Sequence, residues 1–582
     1  MSDKIYNNLK QLFDRKNFED FEQEFSKIRN LNNHLTDKVY NLFGVYLVLK
    51  KQFTKAKDYF EKSISLNNSF NEPKVNLALL LINLKEDTNK AEALLNDAFL
   101  IDQKNNRIFH ILFDFNFGKN NFEKCVKYGE DYIHEDTTDS YAYNKLGVAY
   151  FRLFNFKKAI ENFKLASQLN SENFEFSFNL YRCYKAEKDI KKSKEILNYL
   201  KLKFPNNKKV LYELANLSRG LGEFEKSNFY LETIIKDSFV ANYNAVYQLF
   251  LSPKYQQQEE LFKNIEPIFS AQSKSFQEIV GYGIFKYLDR KKDFFKAAKY
   301  LKNSLKLSSE RLNYNLENEK YYFKFFKEMF NENFFLKYKL NRINNPLNVK
   351  QIFIVGLHRS GSTLVEQILS TQKNISPHGE VTFFPDLITK YFPNQEIETF
   401  KSDIKKFNDK QFLAIGKDYL NRVNTSNEQI VLDKQLSNFR LLGLIFLCLP
   451  NSLIINIKRS KKDHLFSILS NYYAGDHAPW SYDVGNLIEY YNLYEDLMFH
   501  WQKIFPEQIV NIHYEKVISN PKEEMLKILK KINMDWNKSF LDFNKSKNLV
   551  ETQSAFQVRE KLYDNSIDRW KAYKDYFPSL FK

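Results

Sequence analysis

Two patterns of apolar and polar positions divide the chain. Up to about residue 310, apolar residues follow helical spacing in segments that resemble one another. After Arg342, short apolar runs alternate with longer helical stretches, and the runs are "QIFIVGL", "QIVLDK", "SLIINIKR" and "QIVNIHYEK". Such alternation is typical of a parallel sheet with helices on both faces. The pattern therefore predicts an all-α N-terminal region followed by an α/β domain.

A small residue recurs through the first region at spacings of 35, 34, 34, 34 and 34 residues, at Ala56, Ala91, Cys125, Ala159, Ser193 and Ser227. Twelve residues earlier comes a second, mostly small position, which includes Gly44, Gly147 and Ala215. "LGVAY" (residues 146–150) and Pro205 resemble the tetratricopeptide repeat, whose helix pairs bury their apolar faces on one another. We therefore predict a tetratricopeptide solenoid over residues 1–310, with an irregular repeat around residues 254–269.

The remaining chain is divided into a helical linker over residues 311–349 and a second domain over residues 350–582. Two interpretations of the repeats stay open. Either their concave surface binds a peptide or partner protein, or the solenoid only stabilises or dimerises the enzyme. If the solenoid is separate, a chain beginning near residue 341 should still bind nucleotide.

Composition narrows the function classes. The formal net charge of +16 comes mostly from lysine, in a chain that is also rich in Asn, Phe, Tyr and Ile. This mixture indicates a general bias in amino-acid composition and not a surface that binds nucleic acid. Cys125, Cys183 and Cys448 are odd in number and far apart, so buried free thiols are expected instead of disulfides or a metal site. The N-terminus lacks an apolar signal sequence and no apolar stretch is long enough to span a membrane, so a cytoplasmic protein is expected.

The stretch "FIVGLHRSGSTLVEQIL" carries the main chemical signal. A buried strand leads into a loop and then an amphipathic helix, with the glycine spacing of a phosphate-binding loop from Gly356 to Gly361. Ser362 stands where a nucleotide-hydrolysing enzyme has lysine, and Arg359 precedes it by three residues. Backbone N–H groups at the helix start can bind an anion, and the Arg359 guanidinium matches a pair of phosphate or sulfate oxygens.

Polar residues follow each of the four predicted strands. They are Arg359–Thr363, Lys434, Arg459 and Tyr514. Ligands of parallel sheets bind at the carboxyl ends of the strands, so these residues are expected to meet at one edge. Arg459 is followed eight residues later by Ser467, a spacing suited to a second phosphate. Two phosphate sites indicate a ligand that is phosphorylated in two places.

The loop resembles the 5′-phosphosulfate-binding loop of sulfotransferases, G-x-x-R-S-G-[ST]-T, and "IKRSKKDHLFS" resembles their R-x₇-S site for a 3′-phosphate. The closest resemblance, over residues 351–577, is to the tyrosylprotein sulfotransferase-like group in its tetratricopeptide-fused form. It implies a P-loop-like α/β domain with a central parallel sheet. It also implies 3′-phosphoadenylyl sulfate as co-substrate, no metal, and a peptide tyrosine as the most plausible acceptor.

Matched position by position, the resemblance implies roles for individual residues. The implied catalytic residues are Glu380 as base, Lys434 at the leaving oxygen and Ser554 in the transition state. The implied donor-binding residues are Arg359, Ser360, Gly361, Ser362, Thr363, Arg459, Ser467, Tyr514 and Arg569. His378 is a competing base, and Thr552 is a substitute for Ser554. His358, Ser362 and "RSKKD" depart from the family pattern, and "RSKKD" leaves the loop after Arg459 less defined.

The predicted function is therefore sulfuryl transfer to an acceptor hydroxyl, with an acceptor protein or peptide bound by the repeats. A carbohydrate or small-molecule acceptor is the first alternative. An inactive tetratricopeptide scaffold is the second, and the retention of Arg359, Glu380, Lys434 and Arg459 opposes it.

Overall fold

The structure is a computed structural model that describes residues 2–30, 35–135, 138–338, 351–423, 430–546, 548–562 and 566–582. Residues 339–349 of the predicted linker lie outside the described residues. By its contacts the chain divides into two compact units, residues 1–205 and residues 206–582.

Helices run through the first part of the chain, as the repeat pattern predicts. Those of the first unit are α1 (Ser2–Asp14), α2 (Phe18–Asn30), α3 (Asp37–Leu49), α4 (Phe53–Leu66), α5 (Asn71–Leu84), α6 (Thr88–Ile101), α7 (Asn106–Gly118), α8 (Phe122–Glu135), α9 (Ser140–Arg152), α10 (Phe156–Leu169), α11 (Phe174–Ala186) and α12 (Ile190–Lys203). The second unit continues with α13 (Lys208–Gly220), α14 (Phe224–Ile235), α15 (Tyr243–Leu251), α16 (Gln258–Ile265), α17 (Lys274–Arg290), α18 (Phe294–Leu312), α19 (Glu317–Met329) and α20 (Glu332–Leu336).

The small residues of the repeat lie where helices cross. All six at the 34-residue spacing are buried. A Cβ on Gly44 would lie 2.6 Å from the Phe60 ring, and one on Gly147 would lie 2.7 Å from the Phe163 ring. These separations are too short for a side chain, so glycine sets how closely α3 packs on α4 and α9 on α10. The solenoid prediction is confirmed, and the irregular stretch corresponds to the short α16 and a 3₁₀ helix, Glu266–Ala271.

The second unit contains a parallel five-stranded sheet. Its strands are β1 (Gln351–Val355), β2 (Ile375–Gly379), β3 (Ile430–Asp433), β4 (Leu453–Lys458) and β5 (Ile509–His513), in the spatial order β2-β3-β1-β4-β5. Phe353 pairs with Asp433 of β3 and with Ile454 of β4, so β1 is central. β1 is buried along its whole length, as its unbroken apolar run predicts.

Helices of this part follow the strands. They are α21 (Ser362–Leu369), α22 (Phe383–Tyr391), α23 (Ile397–Lys406), α24 (Asp409–Val423), α25 (Leu442–Cys448), α26 (Lys461–Leu469), α27 (Val484–Ile504), α28 (Tyr514–Ser519), α29 (Pro521–Leu529) and α30 (Pro578–Phe581). The predicted α/β class with a parallel sheet is thus confirmed. Within the described residues, no helix combines the length and the apolar content needed to cross a membrane.

One strand was not predicted. Among the described residues β2 pairs only with β3, at the edge of the sheet, and it contains Pro377 and Gly379. Proline cannot donate a ladder hydrogen bond and is confined to such edge positions, so the segment lacks the composition of a strand. Its register with β3 shifts between Pro377 and Gly379. Because β2 ends at Gly379, it delivers Glu380 to the carboxyl edge of the sheet.

One large hydrophobic cluster of the second unit contains residues from Leu211 in α13 to Phe581 in α30. In it, Phe285 of α17 lies against Phe466 of α26 and Tyr573, with ring centroids 6.4 and 5.8 Å apart. Residues 206–336 and the sheet-containing part therefore fold on one shared core.

Candidate active site

The phosphate-type loop has two positions where the backbone favours glycine. Gly361 has a φ of +100°, and a Cβ there would lie 2.3 Å from Cδ2 of Tyr514. Gly356 has a φ of +151°. Arg359 adopts a left-handed φ of +66°, which residues with a side chain rarely adopt. The chain then enters α21 at Ser362, where unpaired helix N–H groups favour an anion.

A C-terminal strap, residues 548–562, covers this loop. Arg359 Nη1 donates to Ser554 Oγ at 2.8 Å, and Arg359 Nη2 donates to Gln557 Oε1 at 3.2 Å. The hydroxyls of Thr363 and Thr552 lie 3.3 Å apart. Arg359 and Thr363 thus lie beside Ser554 and Thr552, which follow nearly 200 residues later in the sequence. Thr552, the predicted substitute for Ser554, accepts a hydrogen bond at its Oγ1 from Ser554 N at 3.2 Å.

The strap is held by a repeat helix. Gly220 at the end of α13 accepts hydrogen bonds from Val550 N at 3.0 Å and from Arg559 Nη2 at 2.8 Å. The rings of Phe224 and Phe556 stack with centroids 4.6 Å apart. Residues of the repeat region therefore fix the segment that carries Ser554.

A second cluster forms at the ends of β4 and β5. Arg459 donates to the carbonyls of Arg359 at 2.9 Å and Ser566 at 2.7 Å, and its guanidinium lies 4.8 Å from the centre of the Tyr514 ring. The Tyr514 and Ser566 hydroxyls are 2.7 Å apart. Arg459 thereby joins the loop after β1 to the residues that follow β4 and β5.

Ser467 and Arg569 both line the cavity, one from a helix of the sheet-containing part and the other from the C-terminal segment. Ser467 lies on α26, one face of which carries Asp463, Phe466 and Ser467 toward the site. Arg569 forms an ion pair with Asp289 of α17, whose other oxygen accepts from the Tyr573 hydroxyl at 2.7 Å. The structure thus places Arg569 against a repeat helix.

The predicted base and the predicted lysine are in contact. Lys434 Nζ lies 2.8 Å from Glu380 Oε1 and 3.6 Å from Oε2 of Glu366 on α21. Lys434 and Glu366 are buried, whereas Glu380 is 47% exposed. Burial lowers the pKa of Lys434, but the two carboxylates outweigh it and the pKa is raised. Lys434 is therefore a charged ammonium at the edge of the site.

Asp433, for which the sequence indicated no role, lies beneath this pair. Its carboxylate accepts from Tyr419 Oη at 2.9 Å and from Gln435 N at 2.8 Å. Burial raises the pKa of Asp433 to about 7. These bonds fix the backbone on both sides of Lys434. His378, the competing base, lies in β2 with its Nε2 3.4 Å from Ser376 Oγ.

Most of the predicted site residues surround one cavity of about 640 Å³, within the usual range for ligand pockets. Ten of the twelve predicted site residues line it. Ser360 and Lys434, the other two, are buried behind the lining, where Lys434 contacts Glu380. The repeat region supplies Leu251, Lys286, Asp289 and Arg290 to the wall.

Several polar atoms around the cavity lack a partner among the described residues. They are Ser360 Oγ, Arg359 Nε and Arg459 Nε, all buried. Arg359 and Arg459 also donate only to neutral oxygens in the contacts given above. Since a buried cation without a counter-charge is costly, this arrangement suits an anionic ligand that supplies acceptors.

Comparison with known proteins assigns this part of the chain. Residues 351–538 match the sequence model of the sulfotransferase family. They form a sulfotransferase domain. Residues 37–70 and 140–173 match the tetratricopeptide repeat. Sulfotransferase domains imply a 3′-phosphoadenylyl sulfate-type sulfuryl donor, and the orphaned polar atoms above fit its phosphate and sulfate oxygens.

Among whole proteins, the chain is 27% identical over 399 residues to an uncharacterized protein from Aquifex aeolicus (strain VF5). The match covers 67% of this chain, which spans about half (52%) of that protein's length. Among solved structures, the C-terminal part of a TPR repeat-containing protein from Cytophaga hutchinsonii is 18% identical, with coverage of 40% of this chain and 94% of that chain and a TM-score of 0.34. MamA from Desulfovibrio magneticus RS-1 is 17% identical, with coverage of 29% and 96% and a TM-score of 0.26.

In the ranges that the structure describes, no three His, Cys, Asp or Glu side chains are grouped so that they could hold a metal ion. The three cysteines are buried and free, and burial raises the pKa of the Cys125 and Cys183 thiols to about 12.

Several residues in or beside the cavity were not predicted from the sequence. They are Lys286, Asp289, Arg290, Glu366, Gln557 and Ser566. Glu366 lies three residues after Thr363 on α21, so the two side chains share one face of the helix. This helical spacing is the signal in the sequence that points to Glu366. Gln557 and Ser566 each lie three residues from a predicted residue, Ser554 and Arg569 respectively. The remaining three lie on α17, in a segment without a chemical motif.

His464 gives the sulfotransferase domain a pH-dependent stability. Its Nε2 lies 2.9 Å from the His358 carbonyl oxygen and therefore donates, while its buried Nδ1 has no hydrogen-bond partner among the described residues to hold a second proton. Burial lowers the pKa of His464 to about 3, below its ordinary 6.5. The unfolded chain thus binds a proton that the folded chain rejects, so stability is full above pH 6.5 and falls as the pH decreases toward 3.

Between pH 7.5 and pH 5.0 this single histidine is expected to remove about 2 kcal/mol from the free energy of unfolding. His464→Gln should abolish that part of the pH dependence. All four tryptophans lie between residues 480 and 570, so their fluorescence in urea reports this domain. The control is His134→Gln, which changes an exposed histidine of α8. Equal pH dependence of wild type and His464→Gln would contradict the prediction.

Proposed function

We propose that this protein transfers the sulfuryl group of 3′-phosphoadenylyl sulfate to an acceptor hydroxyl. One observation carries the proposal. A single cavity brings the phosphate-type loop, two guanidiniums bonded to neutral oxygens, and a carboxylate–ammonium pair to the carboxyl edge of one sheet. The sulfotransferase-family match over residues 351–538 supports the same reaction class.

The roles follow from the chemistry of in-line transfer between oxygens, by analogy with phosphoryl transfer. The loop N–H groups and Arg359 bind the 5′-phosphosulfate, while Arg459 and Ser467 bind the 3′-phosphate. Glu380 accepts the proton of the acceptor hydroxyl as that oxygen attacks sulfur. Lys434 and Ser554 stabilise negative charge on the bridging oxygen of the departing nucleotide.

Protein or peptide tyrosine is the acceptor that we propose. Its support is the resemblance of the loop to tyrosylprotein sulfotransferases and the presence of tetratricopeptide repeats, which suit protein binding. Incubation with a ³⁵S-labelled donor and cell extract tests the acceptor. Label in tyrosine O-sulfate after hydrolysis supports the proposal, whereas label in carbohydrate or a small molecule supports the alternative acceptor.

The proposed donor predicts a preference between two nucleotides. Adenosine 3′,5′-bisphosphate should bind at least about tenfold tighter than adenosine 5′-phosphate, because only the former engages Arg459 and Ser467 with charge-assisted bonds. Arg459→Ala should remove most of this difference in calorimetry. Equal affinity of the wild type for the two nucleotides would refute a two-phosphate site.

A further inference from the structure

Lys286 reaches the cavity from the repeat region. It lies near the C-terminal end of α17, and its Nζ is 3.5 Å from Ser470 Oγ, just after α26. The Phe285 ring centroid lies 5.2 Å from the same Nζ. Lys286 lines the cavity together with Asp289 and Arg290, the next two polar residues of its helix.

Its neighbour Ser470 marks which part of the cavity Lys286 faces. Ser467 and Ser470 are three residues apart at the end of α26, a spacing that puts them on the same side. Ser467 also lines the cavity. Lys286 therefore lies beside the helical face that carries Ser467, which is the serine of the proposed 3′-phosphate site.

The charges around Lys286 are mostly of its own sign. Arg569 faces it from the C-terminal segment, Arg359 from the loop after β1, and Arg290 from its own helix; Asp289 is the opposing carboxylate. That carboxylate is engaged by Arg569 and Tyr573. Arg290 itself donates to the Phe250 carbonyl and to Gln258 Oε1, which are neutral.

Burial lowers the pKa of Lys286 far below its usual range, and the charges of Arg569 and Arg359 lower it further. A lysine in these surroundings is costly to keep charged, and a hydroxyl at 3.5 Å offsets little of that cost. An anion in the cavity would stabilise its charged form.

We propose that Lys286, a residue of the repeat region, binds the 3′-phosphate of the nucleotide beside Arg459 and Ser467. The inference rests on the proposed function, since it assumes the same donor. It makes the repeat region part of the donor site and assigns to α17 a share in distinguishing a 3′-phosphorylated nucleotide from one that lacks this group.

Calorimetry of Lys286→Met with adenosine 3′,5′-bisphosphate and with adenosine 5′-phosphate tests the inference. Affinity for the bisphosphate should fall about 10- to 100-fold, as expected for a lost charge-assisted bond, while affinity for the monophosphate stays within about threefold. Lys286→Arg should retain most of the bisphosphate affinity because it keeps the charge. Lys291→Met, at an exposed lysine that directly follows α17, is the matched control and should change neither affinity.

Titration at pH 8 in two buffers of different ionisation enthalpy gives a second readout. Wild type should take up protons as the bisphosphate binds, because Lys286 gains a counter-charge, and Lys286→Met should take up fewer. The melting temperature of Lys286→Met without nucleotide should be unchanged or higher, since a buried cation has been removed.

Two failures are distinguishable. If the wild type itself does not prefer the bisphosphate, the proposed function fails. If the wild type prefers it and Lys286→Met binds it within twofold of wild type, or takes up as many protons, the assignment of Lys286 is overturned while the donor site stands.

Discussion

Glu380→Gln is expected to lower kcat by about 10²–10⁴ and to leave nucleotide affinity nearly unchanged. The amide keeps the shape of the side chain, and its oxygen can still accept from Lys434, 2.8 Å away in the structure. It cannot accept the proton of an acceptor hydroxyl. Steady-state kinetics, with calorimetry of adenosine 3′,5′-bisphosphate binding, separates these two effects.

Two control variants make this result specific. Glu551→Gln changes another carboxylate that lines the cavity and should retain kcat within about threefold of wild type, since it takes no part in proton transfer. His378→Ala removes the competing base of β2 and should do the same. Full activity of Glu380→Gln together with loss of activity in His378→Ala would reassign the base.

Lys434→Met is expected to reduce both stability and rate. The change removes the ammonium from the buried Glu366 carboxylate, and breaking a buried ion pair from one side costs about 3–5 kcal/mol of unfolding free energy. kcat should fall about 10²–10³-fold, because charge on the leaving oxygen loses its stabilising partner. Urea unfolding followed by tryptophan fluorescence and steady-state kinetics measure the two losses.

The double variant Lys434→Met/Glu366→Gln distinguishes structure from catalysis. Neutralising both partners should restore most of the stability without restoring kcat. Lys545→Met, which breaks an exposed pair with Asp542, should cost at most about 1 kcal/mol and leave the rate unaltered. Recovery of both stability and rate in the double variant would limit Lys434 to a structural role.

The sequence predicts the local parts of this molecule well, because their signals are local. A buried β1, a glycine-dependent loop and small residues at helix crossings each follow from a few neighbouring residues. β2 was missed since Pro377 and Gly379 give an edge strand the composition of a turn. The prediction of Glu380 relied on its distance from Arg359, and the strand that positions it emerged only from the structure.

The features that could not be predicted from the sequence depend on packing between residues that are far apart in the chain. A 34-residue period locates helix pairs but does not say what covers the last pair. In the structure a core shared from Leu211 to Phe581 covers it. The expectation that a chain beginning near residue 341 keeps nucleotide binding is conditional on a separate solenoid, and this cut removes one side of the shared core. The domain limits at residues 310 and 350 stay a prediction.

The attachment of the strap to Gly220 bears on how this protein can be re-engineered. Exchanging repeats is an attractive way to redirect a tetratricopeptide enzyme to a new target. In this chain, a graft over α13 would replace Gly220, where a Cβ would lie 2.5 Å from Leu549 Cδ1 of the strap, and a graft over α14 would remove the Phe224 ring that stacks on Phe556. The segment that carries Ser554 would then lose its attachment to the repeats. A graft intended to change the protein target would therefore also alter the donor pocket. Swaps confined to residues before 206 leave these anchors intact, so that is where a library of chimeras should be joined.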